Sequence, residues 1–365
     1  MKKVFRILLP GAVALSLLTG CSVKQNEVPT SKPGVDIYVS DDVDVFGNKI
    51  ENGDKTEIKP GKEHGNSTSS PSGDVWGEEP PAHELEEAHA LEELKVYFID
   101  VGQADCILLR FADEDILIDG GNNADGDDIV SYLKHLGVEN ITAMVGTHPH
   151  EDHIGGLDDV IAEIPTDQIY LPYVAEQDVP TTKTYKDLLQ AVSDGGLIVN
   201  EAKNGDVIYQ TNSSRLEIIS PDNVSPGDLN DYSIVLKLTY GDVSFMFTGD
   251  ASVEVNEAMI NQYGEDYLDI DVLKVGHHGS RTATDSKWVD VTTPEYSVIM
   301  CEEGNSYGHP HKEAMQALEG KTNILRTDED GTILFSTDGT KVEIDTKLTG
   351  DIPLGHKDFS IDDVK

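Results

Sequence analysis

Apolar residues fall into short, closely spaced runs only after residue 94. KVYFIDV (95–101), DCILLRF (105–111) and DILID (115–119) read as three strands in quick succession. ITAMVG (141–146) reads as a buried strand, and QIYLPY (168–173), LEIIS (216–220), YSIVLKLTY (232–240), VSFMFTG (243–249), DVLKVG (271–276) and YSVIMC (296–301) follow in the same style. NILRT, TILFST and KVEID close the series, separated by the turn sequences DEDG and DG. Helical periodicity marks 127–136, closed by Gly137; 157–164; 185–192, ended by Gly195 and Gly196; 251–261; and a segment from Lys312. Tyr240, Gly241 and Asp242 predict a tight hairpin. Strands outnumber helices early and alternate with them later. Two mixed sheets with helices outside accommodate that order.

The segment before residue 95 is of another kind. Lys2, Lys3 and Arg6 precede an apolar stretch from Ile7 to Leu18, which is short for a bilayer span but suits a signal peptide. It ends in Leu18-Thr19-Gly20-Cys21, which resembles the lipobox of bacterial lipoproteins. That resemblance implies cleavage after residue 20 and lipidation of Cys21, with the exported protein held at the outer face of the plasma membrane through its N-terminal lipid. From 21 to 94 the stretches SKPG, GNSTSSPSG and EEPP carry turn and linker chemistry, and Ser22 to Leu94 holds 17 acids against 6 bases. Low hydrophobicity with negative charge predicts a solvated tether, in which His83 and His89 are polar linker residues. The expected organisation is a signal peptide (1–20), an acidic linker (21–94), one domain (95–346) and a tail (347–365).

Composition narrows the picture further. The chain has 27 basic and 68 acidic residues and a net charge of −41. Residues 95–365 alone hold 51 acids and 18 bases, so the acidity is not confined to the linker. Such a surface disfavours a general nucleic-acid coat, which needs many Lys or Arg contacts to phosphates. Three cysteines exclude a disulfide framework; Cys106 and Cys301 sit inside apolar runs and read as packing residues.

Candidate chemistry concentrates in THPHEDH (147–153), behind the strand ITAMVG. Pro149 opposes helix, so His148 and His150 are expected in extended chain, pointing to one side. Asp152 and His153 are adjacent, so at least one should face elsewhere, toward a second ion. Imidazole and carboxylate donors suit zinc or manganese. Asp250 follows the apolar run VSFMFTG and is either a further ligand or a helix N-cap. His277 and His278 follow another apolar strand and are flanked by Gly276 and Gly279.

HxHxDH, then FTGD, then HHGS resembles the metallo-β-lactamase superfamily. VGQAD (101–105), LIDGG (117–121), THPHEDHIGG (147–156), NDYSIVLKL (230–238), FTGDA, LKVGHHGS, NSYGHPH (305–311) and RTDEDGTILFSTDG resemble one branch, the soluble domain of ComEC-type DNA-uptake channels and their stand-alone relatives. The resemblance implies an α/β fold, the four-layer αββα sandwich, holding two divalent ions. It implies His148 and His150 on the first ion, Asp152, His153 and His277 on the second, Asp250 shared, and Asp119 orienting a ligand histidine from behind. Two departures stand out. The superfamily's further histidine before the shared aspartate is replaced here by Asn230 and Asp231, and VGQGDA reads VGQADC. His309 is a candidate for binding a substrate phosphate or giving a proton to the leaving group, and Asn230, Ser280 and Asn305 are candidates for substrate contact.

The function expected from this set is a metal-dependent hydrolase of phosphodiesters, a nuclease or an envelope phosphodiesterase, with Asp119, Asp152, Asp250 and His309 in the machinery. Two ions about 3.5–4 Å apart would supply hydroxide at neutral pH and polarise the ester. The ions would also invert the local field of an acidic domain, so an anionic ester can still bind there. The alternatives are a non-catalytic, metal-stabilised binding module of the envelope, and a hydrolase of a non-phosphate substrate such as a β-lactam.

Overall fold

The computed structural model describes residues 92–112, 114–221 and 227–346. The lipobox with Cys21, the linker histidines and the tail 347–365 lie outside the described residues.

The strands are, in chain order, β1 (Leu94–Phe98), β2 (Ile107–Arg110), β3 (Asp115–Ile118), β4 (Ala143–Val145), β5 (Gln168–Pro172), β6 (Ile198–Ala202), β7 (Val207–Gln210), β8 (Ser214–Ser220), β9 (Val235–Tyr240), β10 (Val243–Phe247), β11 (Val272–Lys274), β12 (Tyr296–Ile299), β13 (Asn323–Arg326), β14 (Ile333–Thr337) and β15 (Val342–Thr346). They form one eight-stranded sheet in the order β15-β14-β1-β2-β3-β4-β5-β6 and one seven-stranded sheet in the order β13-β12-β11-β10-β9-β8-β7.

Side-chain alternation along the strands explains why two layers form and why both need outer cover. Val96 and Phe98 of β1, Leu109 of β2 and Val145 of β4 face inward and meet Leu216, Leu236, Phe245, Phe247 and Val298 from the other sheet. The alternate residues Tyr97, Leu108, Leu117 and Met144 face outward. They are covered by Ile129, Leu133, Leu157, Val160 and Leu188 from the helices Gly126–His135, Leu157–Glu163 and Lys183–Gly195. On the far side Met246 and Leu273 are covered by Met259, Leu268 and Trp288. Val275 and Ile299 are covered by Val289 and Leu318. The result is the expected αββα sandwich. Among the described residues no helix is long and apolar enough to cross a membrane.

The sequence reading missed two strands and four short helices, among them Glu151–Ile154 and Thr327–Asp330, which lies where a turn was expected. β6 (IVNEA) and β7 (VIYQ) sit at the far edge of their sheets and are mostly half-buried, so neither shows a clean apolar period. The helices Glu265–Leu268 and Ser286–Thr292 are too short for a full amphipathic repeat. The hairpin at Tyr240 is present: Tyr240 pairs with Val243 across Gly241 and Asp242, with Gly241 at φ 61°.

What positions the site is strand direction. β3 and β4 run parallel in one sheet, and β10 and β11 run parallel in the other. The chain leaves β3 at Asp119, β4 at Thr147 and His148, β10 at Asp250 and β11 at His277 and His278. All are C-terminal strand ends, where α/β sheets present their ligand sites.

Candidate metal centre

The glycine pairs in LIDGG and HIGG bring two of these strand ends together. The N–H groups of Gly155 and Gly156 donate to the carbonyls of Gly121 and Gly120, each at 2.9 Å. A Cβ on Gly155 would stand 2.2 Å from the Asn122 carbonyl carbon, so only glycine permits this backbone contact. The connection ties Asp119 to the loop that carries the histidines.

Within that loop His150 is extended, with φ −78° and ψ 151°, and caps a single helical turn, Glu151–Ile154. Asp152 and His153 therefore lie on helix rather than on extended chain. Both face one cluster: His153 Nε2 is 4.0 Å from Asp152 Oδ2. The expectation that one of them turns away does not hold, because the helical turn swings both side chains over the end of β4.

Asp250 is the hub. Its carboxylate is 1% exposed; Oδ1 is 3.2 Å from His153 Nε2, and Oδ2 is 3.9 Å from His148 Nε2, 3.5 Å from His277 Nε2 and 3.9 Å from His278 Nε2. The N-cap alternative for Asp250 is excluded. The following helix, Val253–Tyr263, is capped by Ser252, whose hydroxyl accepts from Val255 N–H.

Asp152, His153, Asp250 and His278 offer ligand atoms that all lie within 4.8 Å of one another. His278 stands in this group, where the sequence reading expected His277. The cause is local backbone. Both histidines sit in the left-handed region, at φ 51° and 52°, between Gly276 and Gly279, and this turn carries His278 inward to 1% exposure. His278 Nδ1 donates to the Met300 carbonyl at 2.9 Å, leaving Nε2 toward Asp152 Oδ2 at 3.2 Å. His277 remains one-quarter exposed.

His153 is oriented in the same manner. Its Nδ1 lies 2.8 Å from Asp119 Oδ2, and Asp119 also accepts from Thr147 N–H and Thr147 Oγ1, both at 2.8 Å. Burial holds the Asp119 carboxyl above the usual range, against the pull of His153. A carboxylate or carbonyl on the far nitrogen fixes the tautomer of a ligand imidazole.

Two further groups, overlooked in the sequence, complete the arrangement. Lys274 of β11 is fully buried; Nζ forms an ion pair with Asp105 Oδ2, donates to the Gly249 carbonyl at 3.0 Å and stands 3.9 Å from Asp250 Oδ1. Asp105 in turn lies 3.4 Å from His278 Nδ1 and 3.7 Å from His153 Nδ1. Burial alone would raise the Asp105 pKa, but Lys274 and the histidines bring it below the usual value.

Electrostatics and donor geometry fit divalent cations. Asp105 and Asp250 flank the buried Lys274, with Asp119 in its field, while Asp152 faces His153 and His278. In the metal-free protein His278 is pushed up to about 9, the carboxylates of Asp250 and Asp105 outweighing the opposing effect of burial. His153 is raised well above its ordinary value, mainly by Asp250 and Asp119, again against burial. His153 Nε2 and Asp250 Oδ1 are buried without a hydrogen-bond partner among the described residues. Metal–ligand bonds of about 2.0–2.2 Å in a tetrahedral site put neighbouring donors about 3.4 Å apart; the four donor pairs measured here stand 3.2, 3.2, 3.9 and 4.0 Å apart.

A family model described as the metallo-beta-lactamase superfamily matches residues 99–302. The chain belongs to the metallo-beta-lactamase superfamily. Its curated relatives include competence proteins of the ComEC type. It is 29% identical over 264 residues to the ComE operon protein 3 of Bacillus subtilis, covering 67% of this chain and 33% of that one. It is 28% identical over 251 residues to the competence protein ComA of Neisseria gonorrhoeae, covering 68% and 33%. The chain thus spans about a third of the length of these relatives. Among solved structures, the metallo-beta-lactamase fold protein YhfI of Bacillus subtilis superposes with a TM-score of 0.42 at 15% identity, over 67% of this chain and 100% of that one.

Against the superfamily pattern, Asn230 and Asp231 form a single 3-10 turn, Asn230–Tyr232, whose next residue, Ser233, accepts from the Asp250 N–H at 3.1 Å. The segment lies against the hub but offers it no imidazole. Asn230 Oδ1 is buried and without a partner among the described residues. Two of the candidates for substrate contact are engaged within the protein itself. Ser280 is 3% exposed, and its hydroxyl is engaged by Thr282 at 2.9 Å. Asn305 spends its amide on its own loop. It donates to the His309 carbonyl at 2.6 Å and the Glu302 carbonyl at 2.9 Å, and accepts from His309 N–H at 3.0 Å and Tyr307 N–H at 3.1 Å.

That loop places His309 beside the cluster, with ring centroids 5.5 Å from His277 and 6.2 Å from His278. Burial and the neighbouring histidines lower it to about 4, so at neutral pH it is an uncharged imidazole and not a reservoir of acid. A cleft of about 400 Å³ opens next to it, lined by Val101, Gly102, Gln103, Asn122, Asp125, Glu151, Asp152, Glu302 and Tyr307. Asp152 joins cleft and cluster.

Proposed function

We propose that this protein hydrolyses phosphodiesters at the cell surface with two divalent ions, zinc or alternatively manganese. In this reading Asp152, His153 and His278 hold one ion, His148 and His150 the other, and Asp250 both. His277, 3.5 Å from the shared Asp250 oxygen, is the remaining imidazole for the ion that lacks the superfamily's usual histidine. Once bound, the ions would polarise the ester and lower the pKa of a bound water to about 7. The protein's own part is orientation. Asp119 and the Met300 carbonyl aim His153 and His278, Lys274 balances Asp105, and His309 is placed to donate a hydrogen bond to an anionic oxygen.

The observation that carries the reading is the Asp250 carboxylate, almost fully buried and in reach of histidines from two different loops. The competence relatives favour a phosphodiester of nucleic acid or of a related envelope polymer. The cleft favours a short or loosely held substrate: no Lys or Arg lines it, so it lacks the phosphate contacts on which tight binding of long DNA depends. The decisive variant is Asp250→Ala. It should abolish hydrolysis of bis-p-nitrophenyl phosphate by the metal-loaded protein while leaving its circular dichroism intact; unchanged turnover refutes the role. The lipobox supports export and lipid anchoring through Cys21. Cys21→Ser should release the protein from membranes, and continued membrane association would reject the anchor.

A further inference from the structure

His309 can serve an anionic ester only if the nitrogen it presents carries the proton, and a neutral imidazole has one proton for two nitrogens. The protein decides between them through Gln103, a residue of the VGQAD motif. The backbone N–H of Glu302 can only donate, and it meets Gln103 Oε1 at 3.3 Å. This fixes the amide the other way round at its far side: Nε2 faces His309 Nδ1 at 3.1 Å and is the donor of that pair. His309 Nδ1 must then accept, and its proton resides on Nε2. The opposite amide orientation would set an NH2 group against the Glu302 N–H. Asn305 holds the backbone of His309 on both sides, donating to its carbonyl and accepting from its N–H. Among the described residues the His309 Nε2 has no hydrogen-bond partner. The ring is flanked by Tyr307 at 5.7 Å and by the cluster histidines His277 and His278.

We propose that Gln103 is a positioning residue that locks His309 as the Nε2–H tautomer, making it a hydrogen-bond donor to the developing negative charge of an ester at the metal centre. The lock itself is a property of the free protein; its use in turnover rests on the phosphodiesterase reading above.

The test separates the two. The zinc-loaded full chain, labelled with 15N-histidine and with His309 assigned by its loss in His309→Asn, should show Nε2 protonated and Nδ1 bare between pH 6 and pH 9. This measurement needs no substrate. A protonated Nδ1 in the wild type overturns the proposal. Gln103→Glu replaces the donor by a carboxylate, which can only accept, so Nδ1 should become protonated. Above the pH at which the variant's imidazolium loses its Nε2 proton, kcat on bis-p-nitrophenyl phosphate should fall about 100-fold with little change in KM, the loss typical of one missing oxyanion donor. Below that pH the Nε2–H is retained and kcat should approach wild type. A merely structural role for Gln103 would lower activity equally at every pH. A Gln103→Glu protein with a protonated Nδ1 and an unchanged pH profile would show that donation from Nε2 is not used.

Discussion

Replacing Lys274 by methionine keeps the aliphatic stem and removes one charge from a fully buried position. In the metal-free protein Asp105 then loses the only non-histidine cation paired with it among the described residues, and the Gly249 carbonyl loses a donor. Breaking a buried pair from one side costs about 3–5 kcal/mol, because the other charge is stranded. His278 and His153 stand 3.4 and 3.7 Å from Asp105 and stay protonated, so the lower end, about 3 kcal/mol, is expected here. For a domain of this size that corresponds to a fall in Tm of roughly 6–12 °C. The metal-loaded protein should behave differently. Without Lys274 the site is one charge more negative, so divalent ions bind more tightly and the gap between loaded and metal-free Tm widens. Calorimetry in chelator and in saturating zinc or manganese reads both effects. Adding Asp105→Asn to Lys274→Met removes the stranded charge and should restore most of the loss. A metal-free Lys274→Met protein as stable as wild type, or a double variant no better than the single, would refute the reasoning.

Two further outcomes follow from the cluster. His278→Ala should reduce bound metal from two ions to one, whereas His277→Ala should retain two and weaken the ion held by His148 and His150; two ions held at wild-type affinity by His278→Ala would reject the assignment, with metal content read by plasma mass spectrometry after dialysis. Metal-free stability should depend on pH through His278: its folded pKa of about 9 lies above the ordinary 6.5, so its contribution is fully present below about pH 6.5 and lost as pH rises through 9. The loss is about 3 kcal/mol, and a Tm in chelator that does not fall between pH 6.5 and 9.5 would contradict it.

The sandwich and most of its strands were legible because both faces of each central strand are buried and the runs are bounded by turn residues. The edge strands β6 and β7 were not, since half-buried edges dilute the apolar signal. Site chemistry was legible where ligands are dense, in 148–153, and where an aspartate ends an apolar strand, at Asp250. The choice between His277 and His278 was not, because it depends on a left-handed turn between two glycines that makes neighbouring residues face different ways. The helical turn at 151–154 was masked by Pro149, which opposes helix behind it but leaves the next residues free to start one. Lys274 did leave a signal: a lysine inside the apolar strand DVLKVG needs a buried carboxylate, and Asp105 at the end of VGQAD is that partner. Gln103 left none, since its role depends on a hydrogen bond to a loop some 200 residues away.

The central claim is that segments distant in sequence meet around divalent ions with Asp250 between them. Anomalous diffraction from crystals of the zinc- or manganese-loaded chain tests this most directly. The account predicts a peak about 2.0–2.2 Å from donor atoms of Asp152, His153, His278 and Asp250, and a second beside His148 and His150 that shares Asp250. No peak in that cluster, or one seated instead among Asp105, Asp119 and His153 Nδ1, would contradict it.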